Sequence, residues 1–173
     1  MAIKVSREVN RSEGRLPATG VSIYAGMAIM IDGSGNFKPF NETGNYGTLA
    51  PYGIADVSNV VAPLAGSQYT AGQGYDYTGF SRGGLVGAFI NGSELDLYDD
   101  TRSATSNPIG TSSASFVVGG KVYAIANSGT SSENGKMTAD ATTNGNANTV
   151  VGTVVSLTGT ATAPTKLRVK FII

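Results

Sequence analysis

The stretch RGGLVGAFINGSELDLYDD (82–100) decides how this chain folds. In its first arm Leu85, Gly87 and Phe89 alternate with Val86, Ala88 and Ile90, which suits a strand buried on both faces. The second arm has a period of two: Leu95 and Leu97 point to one side, Glu94 and Asp96 to the other. Asn91-Gly92 lies between them, the pair that tolerates positive φ at both centres of a type I′ turn. The reading is therefore a two-residue β-hairpin.

Similar signals run outward in both directions. VSIYAGMAIMI (21–31) is apolar and enters the turn sequence Asp32-Gly33-Ser34-Gly35, from which a short strand at 36–40 returns. PYGIADVSNVV (51–61) starts on a proline, as the first residue of a strand can. FVVGGKVYAIA (116–126) holds two short apolar runs around Gly119-Gly120. The polar stretch 127–149 reads as a long loop or a pair of short edge strands. TVVSLT (153–158) and KLRVKFII (166–173) flank a turn, and Lys166, Arg168 and Lys170 alternate with Leu167, Val169 and Phe171 as a half-buried closing strand. No segment of ten or more residues carries strong helical periodicity. The expected fold is all-β, a small β-barrel or β-sandwich-like domain with Gly-rich turns and an extended N-terminal arm. The arm covers residues 1–20 and the domain 21–173, with loop insertions near 62–81 and 127–149.

Composition narrows the function. The 173 residues contain no histidine, cysteine or tryptophan. Histidine is the one side chain that titrates near neutrality when unperturbed, and cysteine is the commonest thiolate nucleophile. Together they supply most transition-metal ligands. Twelve Lys and Arg balance 12 Asp and Glu, whereas nucleic-acid binders usually carry a basic surplus. A charged fraction of only 14% fits a surface that is covered in an assembly. No apolar run approaches the ~18 residues of a membrane span, and MAIKVSREVNRSEGR lacks a signal-peptide core. The expectation is a soluble protein, not exported by the general secretory route, with no nucleic-acid or membrane partner, no metal and no cofactor.

Three patterns that mimic active chemistry read more simply. Glu94 and Asp96 could form a carboxylate pair for acid–base work, but acids alternating with leucines normally mark a solvated strand face. Asp32-Gly33-Ser34-Gly35-Asn36 imitates the start of a calcium loop, yet Phe37 and Thr43 stand where that loop needs glycine and glutamate. It reads as a hairpin turn. The sequons at Asn10, Asn41 and Asn91 are expected by chance in so Asn- and Thr-rich a chain. No catalytic residues are assigned.

Two segments suit contact with partners. Lys4, Arg7, Arg11 and Arg15 make the first twenty residues basic, either as a solvated terminus or as an arm lying on an acidic partner. QYTAGQGYDYTGF (68–80) sets Tyr69, Tyr75, Tyr77 and Phe80 in a glycine-rich frame. Such rings serve interface cores well, or fold back over their own domain.

The order of these pieces resembles the capsid decoration, or cement, proteins of tailed phages, in particular their small β-barrel type. The likeness is carried by YAGMAIMIDGSGNFKP (24–39), PYGIADV (51–57), GGLVGAFINGSELDLYDD (83–100), GGKVYAIANSGTSSENGKMT (119–138) and VVGTVVSLTGTATAPTKLRVKFI (150–172). Its markers are Ala25-Gly26-Met27, Gly120, Val122-Tyr123, Gly135-Lys136-Met137-Thr138, Gly152 and Leu167–Phe171. Residues 68–80 and 139–149 look like additions to the pattern. The resemblance implies a non-enzymatic virion protein, made in the host cytoplasm, that binds the outside of an assembled capsid. It also implies the major capsid protein as partner, a homotrimer as the favoured oligomer, and capsid contact through the arm at Lys4, Arg7, Arg11 and Arg15. The other reading of the residues is a carbohydrate- or receptor-binding β-module of a phage fibre or surface protein, working through Tyr69, Tyr75, Tyr77 and Phe80.

Overall fold

The computed structural model describes residues 3–7, 12, 14–18, 21–41, 50–56, 86–99, 107–126 and 133–173. These form twelve strands and no helix. They are β1 (Ile3–Arg7), β2 (Ala28–Ile31), β3 (Phe37–Pro39), β4 (Gly53–Ala55), β5 (Ala88–Phe89) and β6 (Glu94–Tyr98), then β7 (Lys121–Ala124), β8 (Met137–Thr138), β9 (Thr142–Thr143), β10 (Asn146–Ala147), β11 (Thr149–Gly159) and β12 (Pro164–Phe171). A six-stranded sheet runs β1-β6-β12-β11-β7-β8 and a four-stranded sheet β3-β2-β4-β5, with β9 and β10 as a separate ribbon. Every ladder is antiparallel. Neither sheet closes into a barrel, so the domain is sandwich-like.

The main core fills the space between the sheets. Ala28, Ile54 and Phe89 of the smaller sheet meet Leu95, Leu97, Val122, Val154, Leu167, Val169 and Phe171 of the larger one. Each fully buried Leu, Val or Phe there contributes about 1.5–3 kcal/mol of transfer free energy. A second cluster, Ile23, Ile29, Phe37, Ala55, Val86 and Ala88, lies on the other side of the four-stranded sheet. Period-two alternation explains the split: Ala28 joins one cluster and Ile29 the other, as do Phe89 and Ala88. That sheet is apolar on both faces because both faces are covered.

The hairpin expected at 82–100 is not formed. Its two arms enter different sheets: β5 pairs with β4, while β6 lies between β1 and β12. Gly92 has φ +87°, but Asn91 has no positive φ, so the type I′ geometry is absent. The link is an arch, fastened where the Gly92 amide donates to Phe171 O at 3.0 Å and the Phe171 amide to Ser93 O at 2.8 Å. The arms separate because one is apolar on both faces and the other on one, and only one sheet accommodates each pattern. Type I′ geometry occurs instead at Asn144-Gly145 (φ +51° and +77°), which joins β9 to β10 inside the polar stretch. The turn at 32–35 does form a hairpin, pairing Ile31 with Phe37.

The described parts of the N-terminal segment are pinned to both sheets. β1 adds to the edge of β6. Farther along, Arg15 bridges Val86 beside β5, and Pro17 bridges Phe37 of β3. Strap residues beyond the two edges of a flat four-stranded sheet would stand five inter-strand spacings apart, about 24 Å. Only two residues, about 7 Å of chain, separate Arg15 from Pro17. The sheet therefore curls around its second cluster, and residues 14–18 fasten the curl. Of the two expected insertions, 62–81 lies outside the described residues, while the described part of 127–149 supplies β8, β9, β10 and the start of β11.

Candidate functional site

The six-stranded sheet turns its leucines and valines inward and presents an ordered polar face outward. Register fixes three rows on that face, because residues directly opposite in a ladder share a side. The first row is Lys121, Thr153, Lys170 and Glu94, on β7, β11, β12 and β6. The second is Ser156, Arg168, Asp96 and Lys4. The third is Thr158, Lys166 and Tyr98. Lys4, Lys121, Lys170, Ser156 and Thr158 are exposed, and Val155, 38% exposed at the β11 bulge between the first two rows, lies beside them.

Asp96 is the hub of the face. It is only 2% exposed although its strand position is the outward one. Arg168 closes over it in a fork, Nε to Oδ1 at 2.6 Å and Nη2 to Oδ2 at 3.0 Å. Lys166 adds Nζ to Oδ2 at 3.0 Å and also lies 5.7 Å above the Tyr98 ring. The Arg168 hydrogen bond draws the Asp96 carboxyl below its ordinary value against the opposing effect of burial, and Lys166 reinforces the shift. Arg168 is raised in turn, first by its bond to Asp96. The carboxylate is thus held ionised and enclosed by cations, a structural state and not that of a general acid. The expectation that Asp96 faces water is corrected: its two cationic neighbours cover it.

Other charged groups are also committed within the fold. Asp140 accepts the Ser113 amide at 2.8 Å, the Ala114 amide at 2.7 Å and the Ser113 hydroxyl at 2.8 Å, which staples residues 113–114 to the loop after β8. Burial would raise its carboxyl, but the bonds from Ser113, Ala114 and Thr138 prevail and hold it low. Asp32 Oδ1 accepts the Ser34 and Asn36 amides, both at 2.9 Å, so the calcium-like sequence is a self-satisfied turn. Lys136 is 1% exposed and pairs with Glu133 at 2.7 Å. Among the described residues, no three His, Cys, Asp or Glu side chains group as metal ligands would. Also among them, no helix is long and apolar enough to cross a membrane.

Of the four cations assigned to the arm, Lys4 stands opposite Asp96 and Arg7 opposite Glu94 in the β1–β6 ladder. Arg15 donates from Nη1 to Gly35 O at 3.0 Å, tying the strap to the β2–β3 turn. Arg11 lies outside the described residues, as do Tyr69, Tyr75, Tyr77 and Phe80. Lys4 therefore shares a row with Arg168, while Arg15 is placed apart from it. Sequence reasoning recognised Lys166, Arg168 and Lys170 as the wet side of a strand without seeing them as a site. The signal was their period-two spacing; what it lacked was the identity of the neighbouring strands. Comparison with protein-family models, with curated proteins and with solved structures finds no match.

Proposed function

We propose that this chain is a structural virion protein that binds the outer surface of an assembled tailed-phage capsid and stabilises the shell by bridging its subunits. It acts without catalysis or a cofactor, and a homotrimer is its favoured form. The observation that carries this reading is the broad polar face of the six-stranded sheet, held on a rigid two-sheet body. A surface built on paired strands keeps its groups in place without paying ordering entropy on contact. The internal commitments of Asp96, Asp140 and Lys136 support the same view, since these charges serve the fold. The resemblance carried by Gly26, Gly135 and Gly152 supplies the capsid as partner.

The contact assigned to the arm alone now extends to the sheet. Lys4 belongs to the same row as Arg168 of β12, so β1 and the rest of the sheet offer one continuous surface. A protein that binds only the assembled shell stabilises it by mass action. The expected result is saturable co-sedimentation with purified capsids, no co-sedimentation with unassembled capsid subunits, and a higher melting temperature for decorated shells. Absence of the chain from the capsid pellet at saturating concentration would refute the role.

A further inference from the structure

The outer face of the six-stranded sheet separates charge in a chain whose formal net charge is zero. Lys4, Lys121, Lys166, Arg168 and Lys170 occupy its rows against two carboxylates, Glu94 and Asp96. Asp96 is enclosed and already neutralised by Arg168 and Lys166. The charge left to a partner is thus positive, with the exposed lysines 4, 121 and 170 at its margins and the hydroxyls of Thr153, Ser156 and Thr158 between.

We infer that this face docks a carboxylate-rich protein surface, one presenting Asp and Glu side chains to the lysines and polar groups to the hydroxyl strip of β11. The kind of cation favours carboxylates over a nucleic-acid backbone. Arg168, the face's described guanidinium, has its Nε–Nη2 edge turned onto Asp96, which leaves fewer of its donors for a phosphate. The exposed lysines remain as compact point charges, which suit single carboxylates. The face spans about 19 Å from β7 to β1, four inter-strand spacings, broader than a groove that tracks one strand of phosphates.

This inference builds on the capsid-binding proposal and names the chemistry of the surface that is bound. Its test does not need a capsid. Fluorescence anisotropy with a labelled polyglutamate chain follows binding of the full-length protein, and a short DNA duplex of equal charge serves as the rival probe. The wild type is expected to bind polyglutamate at low salt, to bind it more tightly than DNA, and to weaken steeply as salt rises past about 0.1 M, where the Debye length falls below about 10 Å. The double variant Lys121→Gln, Lys170→Gln removes two exposed charges that make no described ion pair, and is expected to lose about tenfold in affinity. Lys38→Gln on β3 is expected to bind like the wild type, with thermal melts confirming that all three proteins are folded. No polyglutamate binding, equal binding by the double variant, or tighter binding to DNA would each overturn the inference. Capsid binding without polyglutamate binding overturns the acidic partner alone, whereas polyglutamate binding without capsid binding overturns the capsid role alone.

Discussion

Asp96 shows how one residue acquires its properties from strands that are remote in sequence. Its partners are 70 and 72 residues away, and only the β6–β12 register brings them over it. Replacing it with asparagine removes both ion pairs. Because Lys166 and Arg168 are about one-third exposed, water compensates part of the loss, and the expected destabilisation is about 1–3 kcal/mol. The pH dependence has a definite sign. A carboxyl lowered in the folded state stabilises fully above its unfolded value, about 3.9, and loses that contribution as pH falls through the folded one. Asp96→Asn should therefore lose less stability than the wild type between about pH 4 and pH 2, as followed by denaturant melts. An identical acid limb in both proteins would contradict this role. Gly26 is the second decisive residue. It sits at φ +88°, and an added Cβ would lie 2.6 Å from Ile3 Cγ2 and 2.8 Å from Pro108 Cβ. Gly26→Ala should cost at least about 2 kcal/mol, combining backbone strain with overpacking. Gly33→Ala meets nothing within 4 Å and should change stability by less than about 0.5 kcal/mol, which calibrates the comparison.

At the scale of elements, the N-terminal segment protects edges. β1 covers β6, and residues 14–18 cover both edges of the four-stranded sheet. Deleting residues 1–18 should lower stability by at least about 2 kcal/mol and expose strand edges that pair between molecules. Denaturant melts and light scattering would register both effects; an unchanged midpoint with a monodisperse solution would show that the segment is dispensable. This integration was hidden in the sequence, since Ile3–Arg7 offers only five residues of mixed character and its pairing depends on a strand some ninety residues later. The all-β class and the β2–β3 turn were legible, because period two and turn chemistry are local. The fate of 82–100 was half legible. Asn91-Gly92 suggested a hairpin, while the unequal burial of the two arms, one apolar throughout and one alternating, already marked them for different sheets. The positive face formed by β1, β6, β12, β11 and β7 could not be read, because five separate segments supply it and only the ladder order joins them.

For the whole molecule, a neutral net charge conceals an uneven distribution: the core lies between two sheets, the smaller sheet is curled and strapped, and the larger one offers a polar, cationic face. That geometry gives the proposed capsid role a definite orientation, with the six-stranded sheet against the shell and the β2–β3 turn directed away from that contact. The absence of cysteine makes the orientation directly measurable, since a single introduced thiol is the only one in the chain. Ser156→Cys places it on the exposed β11 strip of the polar face, and Ser34→Cys places it on the exposed β2–β3 turn. The measurement is the rate of maleimide labelling of each variant, free in solution and bound to capsids. On binding, labelling at position 156 should slow at least about tenfold while labelling at position 34 stays unchanged, as expected when an interface excludes solvent from its centre. Unaltered labelling at 156 on fully decorated capsids, or protection at 34 alone, would contradict the assignment of this sheet face as the contact surface.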